Sequence, residues 1–225
     1  MVCYKSTHDY QHSRRLSQSP LFARPQRGKR IATGELAKAT NVTPGSATAM
    51  IKTLAEAGLV RHRPHYGVQL TTTGRNLAVH VVRRHRIVEL FLVQILGMDW
   101  GEVHDEAEKL EHAVSNEVIE RMDALLGHPT ADPHGDPIPN ASGELPRRSL
   151  TQLSACNEGD HVSVARIHNQ DTEFLKFAEE SGLLLGAKIT ISSKSDHADS
   201  ITLLSGEHKV TLGLASACRI EVEHA

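Results

Sequence analysis

Cysteine is scarce in this 225-residue chain: Cys3, Cys156 and Cys218 are far apart, odd in number and form no CxxC pair. That excludes a disulfide framework and a Cys-based structural zinc site, and it points to a reducing compartment. Aromatic residues make up only 4% of the chain, too few for the stacking platforms that bind single-stranded nucleic acid. No apolar run approaches the roughly 18 residues of a membrane span. The opening Tyr4-Lys-Ser-Thr-His-Asp-Tyr10 is too polar for the core of a secretory signal. A cytoplasmic protein with no membrane partner is expected. The remaining composition, 39% hydrophobic and 23% charged, is that of a soluble globular protein with room for two or three small domains.

Acidic residues are also nearly missing from the first third. Residues 1–75 carry 12 Lys and Arg against 3 Asp and Glu, about +9, and residues 76–225 carry 13 against 24, about −11. A net charge of −2 conceals this partition. A basic first third joined to an acidic remainder suits a DNA-reading domain attached to a cation-binding body. A chance imbalance is the plain alternative, and the motifs decide between them.

Residues 1–30 are basic and turn-rich (Ser17-Gln-Ser-Pro20, Arg24-Pro25-Gln-Arg-Gly28), with room for a short helix around 9–17 before a flexible segment. From residue 31 the pattern sharpens. Thr33 is expected to cap a short helix with Leu36 and Ala37 facing inward, and Asn41-Val42 makes a turn. Thr43 caps a second helix with Pro44 at its first position, where a missing N–H is harmless. That helix turns Ala47, Met50, Ile51, Leu54 and Ala55 to one side and stops at Gly58. Leu59–Arg63 and Val68–Thr71 form a hairpin through Pro64-His-Tyr-Gly67. Helix, turn, helix and basic hairpin make a winged helix-turn-helix over residues 31–74. Its second helix would present Thr43, Ser46 and Thr48 to the major groove, with Lys52 also meeting DNA, while Arg61 and Arg63, with His62 and His65, contact backbone phosphates. The competing use of such a fold is protein contact alone.

A long helix is expected over about 75–96 and a second over 101–126, ended by Gly97 and Gly127. His85 and Glu89 stand four apart on the first, among Val81, Val88 and Leu92. On the second, His104, Glu108, Glu111 and His112 share an arc of roughly 100°, beside a stripe of Val103, Ala107, Leu110 and Val114. A carboxylate in an apolar stripe is costly unless a charge meets it there, and a divalent metal held between the helices would supply that charge. Imidazole and carboxylate without thiolate suit Mn(II), Fe(II), Co(II) or Zn(II). A buried His–Glu pair without metal would account for His85 and Glu89 alone, but not for four more ligand-type residues. Arg83, Arg84 and Arg86 read as a solvated face or an approach to DNA phosphate, and the other histidines, His128, His134 and His168 among them, as surface residues.

Residues 129–149 hold five of the nine prolines and read as an extended linker. Residues 150–225 alternate apolar and polar over 162–167, 188–192, 200–204, 208–212 and 218–222, with a short helix over 173–181, which predicts a β-barrel of about five strands. The fold class is therefore mainly α with a small β domain: winged helix-turn-helix, a helical domain over 75–128, and a C-terminal barrel.

Two other functions compete with a metal-dependent regulator. The Glu-x-x-Glu-His sequence at 108–112 superficially resembles a zinc-protease helix, but the order of residues is wrong and no separate base or nucleophile is present. A winged-helix regulator sensing an organic effector, with the His/Glu set as a structural metal site, is the more serious rival.

The stretches Thr43-Pro-Gly-Ser-Ala-Thr-Ala-Met50, Gly67-Val-Gln-Leu-Thr-Thr-Thr-Gly74, Arg84-His-Arg-Ile-Val-Glu89, Val103-His-Asp-Glu-Ala-Glu108, Glu111-His112 and Asp136-Pro-Ile-Pro139 resemble the diphtheria toxin repressor family of metal-dependent transcriptional regulators. The resemblance covers residues 31–225. It implies that the helical domain binds metal and dimerises, that the third domain is an SH3-like (FeoA-like) barrel, and that the homodimer binds palindromic double-stranded DNA operators of metal-uptake genes. His85, Glu89 and His104 match the family's ancillary metal site, and Glu108, Glu111 and His112 its primary site. Manganese-responsive members have glutamate at the position of Glu108 and iron-responsive members cysteine, so Mn(II) is expected, with Fe(II) second and Zn(II) or Co(II) taken up in vitro. Asp171 and Glu173 lie where third-domain acids complete the ancillary site. The chain departs from the family at its N-terminus. Asp9-Tyr10 resembles the start of the family's ligand-bearing first helix, but the next residues, Gln11-His-Ser-Arg-Arg15, are not amphipathic. Either Asp9, with His12, ligates in altered geometry or the primary site lacks that ligand. The implied mechanism is allosteric: metal between residues 85–89 and 104–112 orders the helices and fixes the spacing of two recognition helices across the dimer.

Overall fold

The computed structural model describes residues 30–168, 171–206 and 208–224. The helix expected around 9–17, and with it Asp9 and His12, lies outside them. Contacts divide the chain into two compact units, one ending at Arg83 and including Ala141–Gly143, the other made of Arg84–Asn140 and Glu144 onward.

In the first unit, α1 (Thr33–Ala39) and α2 (Pro44–Glu56) are followed by the antiparallel pair β1 (Val60–Arg63) and β2 (Gly67–Leu70). Ala32 occupies the N-cap position of α1, with Thr33 the first helical residue, one place from the expectation. Thr43 caps α2 as expected, its hydroxyl accepting from the Ser46 amide at 3.1 Å, with Pro44 at the first position. Ile31 exchanges both backbone hydrogen bonds with Val68 and extends the hairpin by one bridge. Ile31, Leu36, Met50, Ile51, Leu54, Val60, Val68 and Leu70 form the core, which is the apolar set the 3.6- and 2-residue periods select.

The long helix α3 (Thr72–Gln94) starts three residues earlier than expected, because Thr71 accepts from the Gly74 amide at 3.0 Å and donates to the Leu59 carbonyl at 3.0 Å. Gly74 is needed there: a Cβ would lie 1.9 Å from the Leu59 oxygen.

In the second unit the helix expected over 101–126 is two helices, α4 (Val103–Ala113) and α5 (Asn116–Leu125). Val114 and Ser115 are extended, and Ser115 caps α5 by accepting from the Val118 amide at 3.3 Å. The guanidinium of Arg84 fills the break. It donates to the Glu111 carbonyl at 3.2 and 2.6 Å, to the Val114 carbonyl, and to the Asn116 side chain at 2.6 Å. Ile87, Val88, Leu90, Leu92, Val103, Ala107, Ile119 and Ile138 form the core of these helices.

The first half of the expected 129–149 linker is packed and not extended. Ala131 bridges to Pro137, Ile138 is buried with the helices, and Asp132 and His134 are 3% and 1% exposed. Prolines here fix tight turns that pack, which composition alone does not separate from a spacer.

The C-terminal part contains β3 (Thr151–Gln152), β4 (His161–Ile167), α6 (Thr172–Glu180), β5 (Lys188–Ser195), β6 (Ser200–Ser205), β7 (His208–Gly213) and β8 (Ile220–His224). Six strands, not five, form one antiparallel sheet in the order β3-β8-β4-β5-β6-β7. The expected barrel is not closed by backbone pairing among the described residues: β3 and β7 remain edges. Register shifts between Val164 and Arg166 and between Ile191 and Ser193 bend the sheet around its core, and α6 covers it with Leu175 and Ala178.

Replacing Gly74 with Ala drives a methyl group into a backbone carbonyl, so a loss of stability of about 1–3 kcal/mol is expected in urea unfolding. A variant as stable as the parent would contradict the close approach of α3 to Leu59.

Candidate metal centre

Glu89 is fully buried on α3 and faces ligand-type residues on two sides. On one side, the first ligand group, its Oε1 lies 2.8 Å from His85 Nε2 and 2.9 Å from His104 Nδ1. The other His85 nitrogen, Nδ1, lies 3.0 Å from Glu111 Oε2. Glu108 Oε1 stands 3.7 Å from His104 Nε2, and His112 Nε2 3.3 Å from Glu111 Oε1. All six expected ligand residues therefore meet in one chain of contacts, and His85, Glu89 and His104 have ligand atoms within 4.8 Å of one another. The i, i+4 spacing on α3 and the single arc on α4 bring them together.

With carboxylates at both nitrogens, His85 has a pKa raised to about 10: burial opposes the charge, but the hydrogen bonds to Glu111 and Glu89 outweigh it. Burial likewise opposes ionisation of Glu89, yet hydrogen bonds from His104 and His85 hold it well below the usual carboxylate range. Burial lowers the pKa of His112. Without a metal, the imidazolium of His85 is thus the counter-charge of the site.

On its other side, in a second ligand group, Glu89 meets Asp132 and His134, all three buried, with ligand atoms again within 4.8 Å. His134 Nε2 donates to the Trp100 carbonyl at 2.9 Å, which leaves Nδ1 with its lone pair. Asp132 Oδ1 accepts from the amides of His134 and Asp136, both at 2.9 Å. Glu89 Oε2, Asp132 Oδ2 and His134 Nδ1 are buried without a hydrogen-bond partner. Buried polar atoms are normally satisfied, and three unsatisfied acceptors in one group fit a cation. Burial, then the like charges of Asp136 and Glu89, raise the Asp132 pKa to about 8, against the opposing charge of Arg86, whose Nε lies 3.6 Å from Oδ2.

His134 is therefore not a surface residue, and the sequence reading missed it together with Asp132. The signal available was an acid and an imidazole two residues apart at a turn just before apolar Ile138. Asp171 is spent as the N-cap of α6, accepting from the amides of Glu173 and Phe174 at 3.0 and 3.4 Å, and Glu173 is exposed. Neither acid belongs to the two groups. Arg84 and Arg86 are also not a solvated face: Arg84 caps α4, and Arg86 donates to the Pro137 carbonyl at 2.6 Å and lies 3.6 Å from Asp132. Arg83 is buried.

In the first unit, the residues expected to read DNA are exposed: Thr43, Ser46, Thr48 and Lys52 on α2, Arg61 and Arg63 on β1. The Arg63 guanidinium lies 5.5 Å from the Tyr66 ring centre. Thr48 donates to the Pro44 carbonyl at 2.8 Å, and Lys52 stands 4.0 Å from Glu56. No helix among the described residues is long and apolar enough to cross a membrane.

Comparison with known proteins agrees with this architecture. Residues 71–140 match the iron dependent repressor metal binding and dimerisation domain, and residues 151–224 match the FeoA domain. The iron-dependent repressor IdeR of Mycobacterium leprae is 32% identical over 178 residues, which is 74% of this chain and 77% of that protein. The diphtheria toxin repressor of Corynebacterium diphtheriae is 31% identical over 176 residues, 73% of this chain and 76% of that protein. Among solved structures, a manganese-dependent transcriptional repressor in complex with manganese has a TM-score of 0.82 at 38% identity, covering 96% of this chain and 99% of its own. ScaR with bound Cd2+ has a TM-score of 0.75 at 30% identity, covering 98% and 100%. The chain thus belongs to the diphtheria toxin repressor family of metal-dependent transcriptional repressors.

Proposed function

We propose that this protein is a manganese-activated repressor that binds operator DNA as a homodimer in the cytoplasm and performs no catalysis. The observation that carries the reading is the convergence of His85, Glu89, His104, Glu108, Glu111 and His112 between α3 and α4 with oxygen and imidazole donors only. The carboxylate of Glu108, where iron-responsive relatives of the resemblance have a thiolate, favours Mn(II) over later metals. Fe(II) is the second reading, supported by the iron-dependent relatives. The unsatisfied atoms of Glu89, Asp132 and His134 support a further ion position.

Bound metal would supply the positive charge that three buried carboxylates, Glu89, Glu108 and Glu111, require. His85 would ligate as the neutral imidazole, and the metal would take over the counter-charge that its imidazolium supplies to Glu89 and Glu111. Residues of α3 and α4 are thereby tied together, and the DNA-competent arrangement is favoured to the extent that it holds the ion better than the free state. Thr43, Ser46 and Thr48 would face the major groove, with Lys52, Arg61 and Arg63 on phosphates.

Fluorescence anisotropy on the protein's own upstream fragment, at fixed salt, should show binding with Mn(II) and none in chelator. Glu111→Ala and His112→Ala should each abolish that response. Binding at lowest concentration with anaerobic Fe(II) would move the metal assignment, and equal binding in chelator would reject the metal switch.

Lys52→Ala and Arg63→Ala should weaken operator binding and lower the salt dependence by about one charge each, with Mn(II) affinity unchanged by calorimetry. Unaltered DNA affinity in both would remove α2 and β1 from the interface.

Because the folded-state pKa of His85 is raised from 6.5 to about 10, its stabilising contribution is complete below about pH 6.5 and is lost as pH rises toward 10. Metal-free protein should therefore show a Tm that declines over that window, and more steeply than in His85→Ala. A Tm equally flat in both proteins would mean that His85 is not the counter-charge.

A further inference from the structure

The 132–136 turn that carries Asp132 and His134 is held from two directions. From α3, Arg86 donates to the Pro137 carbonyl at 2.6 Å and lies 3.6 Å from Asp132 and 3.7 Å from Asp136. From the sheet, β4 lies directly against the turn. The Ile167 amide donates to the His134 carbonyl at 2.8 Å. A Cβ on Gly135, which has φ +86°, would stand 2.3 Å from the Ala165 oxygen, so only glycine permits the approach. Arg166 closes the contact: its Nε donates to Asp136 Oδ1 at 2.6 Å and its Nη2 to the same oxygen. Arg166 is itself braced by Glu221 on β8 at 3.5 Å, which also pairs with His168 at 2.9 Å.

We propose that Arg166 is a positioning residue for the second ligand group, through which the sheet domain sets metal affinity there. This rests on reading Glu89, Asp132 and His134 as an ion position. Asp132 Oδ1 accepts from the amides of both His134 and Asp136, so the turn and the aim of its two ligand side chains form one rigid piece. Whatever fixes Asp136 fixes the direction of Asp132 Oδ2 and His134 Nδ1. Arg166 and Asp136 are 14% and 18% exposed, enough burial that a freed partner does not simply exchange to water. Residues that orient metal ligands in this way typically change metal affinity by about 10- to 100-fold.

Charge and position predict opposite patterns, which makes the test decisive. Arg166→Ala leaves one more negative charge near the group and Asp136→Asn one fewer. Coulombic attraction alone would strengthen cation binding in the first and weaken it in the second. Positioning weakens both.

Mn(II) titration of the full chain against a competing chelator gives the affinity and number of ions per chain. Trp100 emission reports the second group alone, because the indole, the only one in the chain, stacks on His134 with centroids 5.7 Å apart. We expect two classes of ion, with the class that perturbs Trp100 weakened about tenfold or more in both Arg166→Ala and Asp136→Asn. The other class should stay within about twofold, and Arg166→Lys, which keeps the charge, should recover part of the loss. Thermal unfolding of each metal-free variant reports its folding, and if Arg166→Ala does not fold, Asp136→Asn and Arg166→Lys still decide. Affinities that move in opposite directions, or not at all, overturn the proposal. A wild-type Trp100 signal that ignores Mn(II), with the same number of ions per chain in wild type and His134→Ala, would instead remove the ion position itself, and the proposal with it.

Discussion

One buried carboxylate organises the second unit. Glu89 sits with no exposure on a helix whose neighbours are Val88, Leu90 and Leu92, where an ionised oxygen is tolerated only if charge is brought to it. Its two oxygens are used differently. Oε1 is satisfied by His85 and His104, while Oε2 looks toward Asp132 and His134 with no donor. Both ligand groups thus share a member, each through a different oxygen. The apolar residues around Glu89 keep water from competing for the same oxygens.

The arginines answer to the same constraint. Arg84 collects the carbonyls left open where α4 ends, so the turn bearing Glu111 and His112 is fastened to α3 independently of any metal. Arg86 and Arg166 do the same for the turn bearing Asp132 and His134. Permanent cations hold these turns through carbonyls and through the carboxylates of Asp132 and Asp136, while His85 and His104 meet Oε1 of Glu89. Arginine suits the first task because its guanidinium stays charged and spans several acceptors at once.

Much of this is legible in the chain. The ligands on α3 and α4 declare themselves because helical periodicity places polar residues on an arc that should be apolar, and Thr43-Pro44 marks the start of α2 without ambiguity. The break at Val114 is not legible, since the apolar spacing runs on through it and only Ser115, a good cap that also occurs inside helices, marks the stop. Arg84 and Arg86 mislead because a run of charges usually faces water, and His134 because proline and glycine signal a spacer as readily as a tight packed turn. The open edges of the sheet depend on pairing between distant segments, which alternation within a strand does not encode. Each failure lies where a tertiary partner, distant in sequence, decides the outcome.

The spacing of the ligands along the chain also sets an order of assembly. His85 through His112 lie within two successive helices, so the first group can close as soon as that hairpin forms. The turn at 132–136 comes next, but its fastening waits for Arg166 and Ile167 on β4, and those depend on β8 at the far end of the sequence. During synthesis from the N-terminus the two halves of Glu89's environment therefore mature at different times. A chain still being made would hold its first set of ligands complete while the second remained unbuilt.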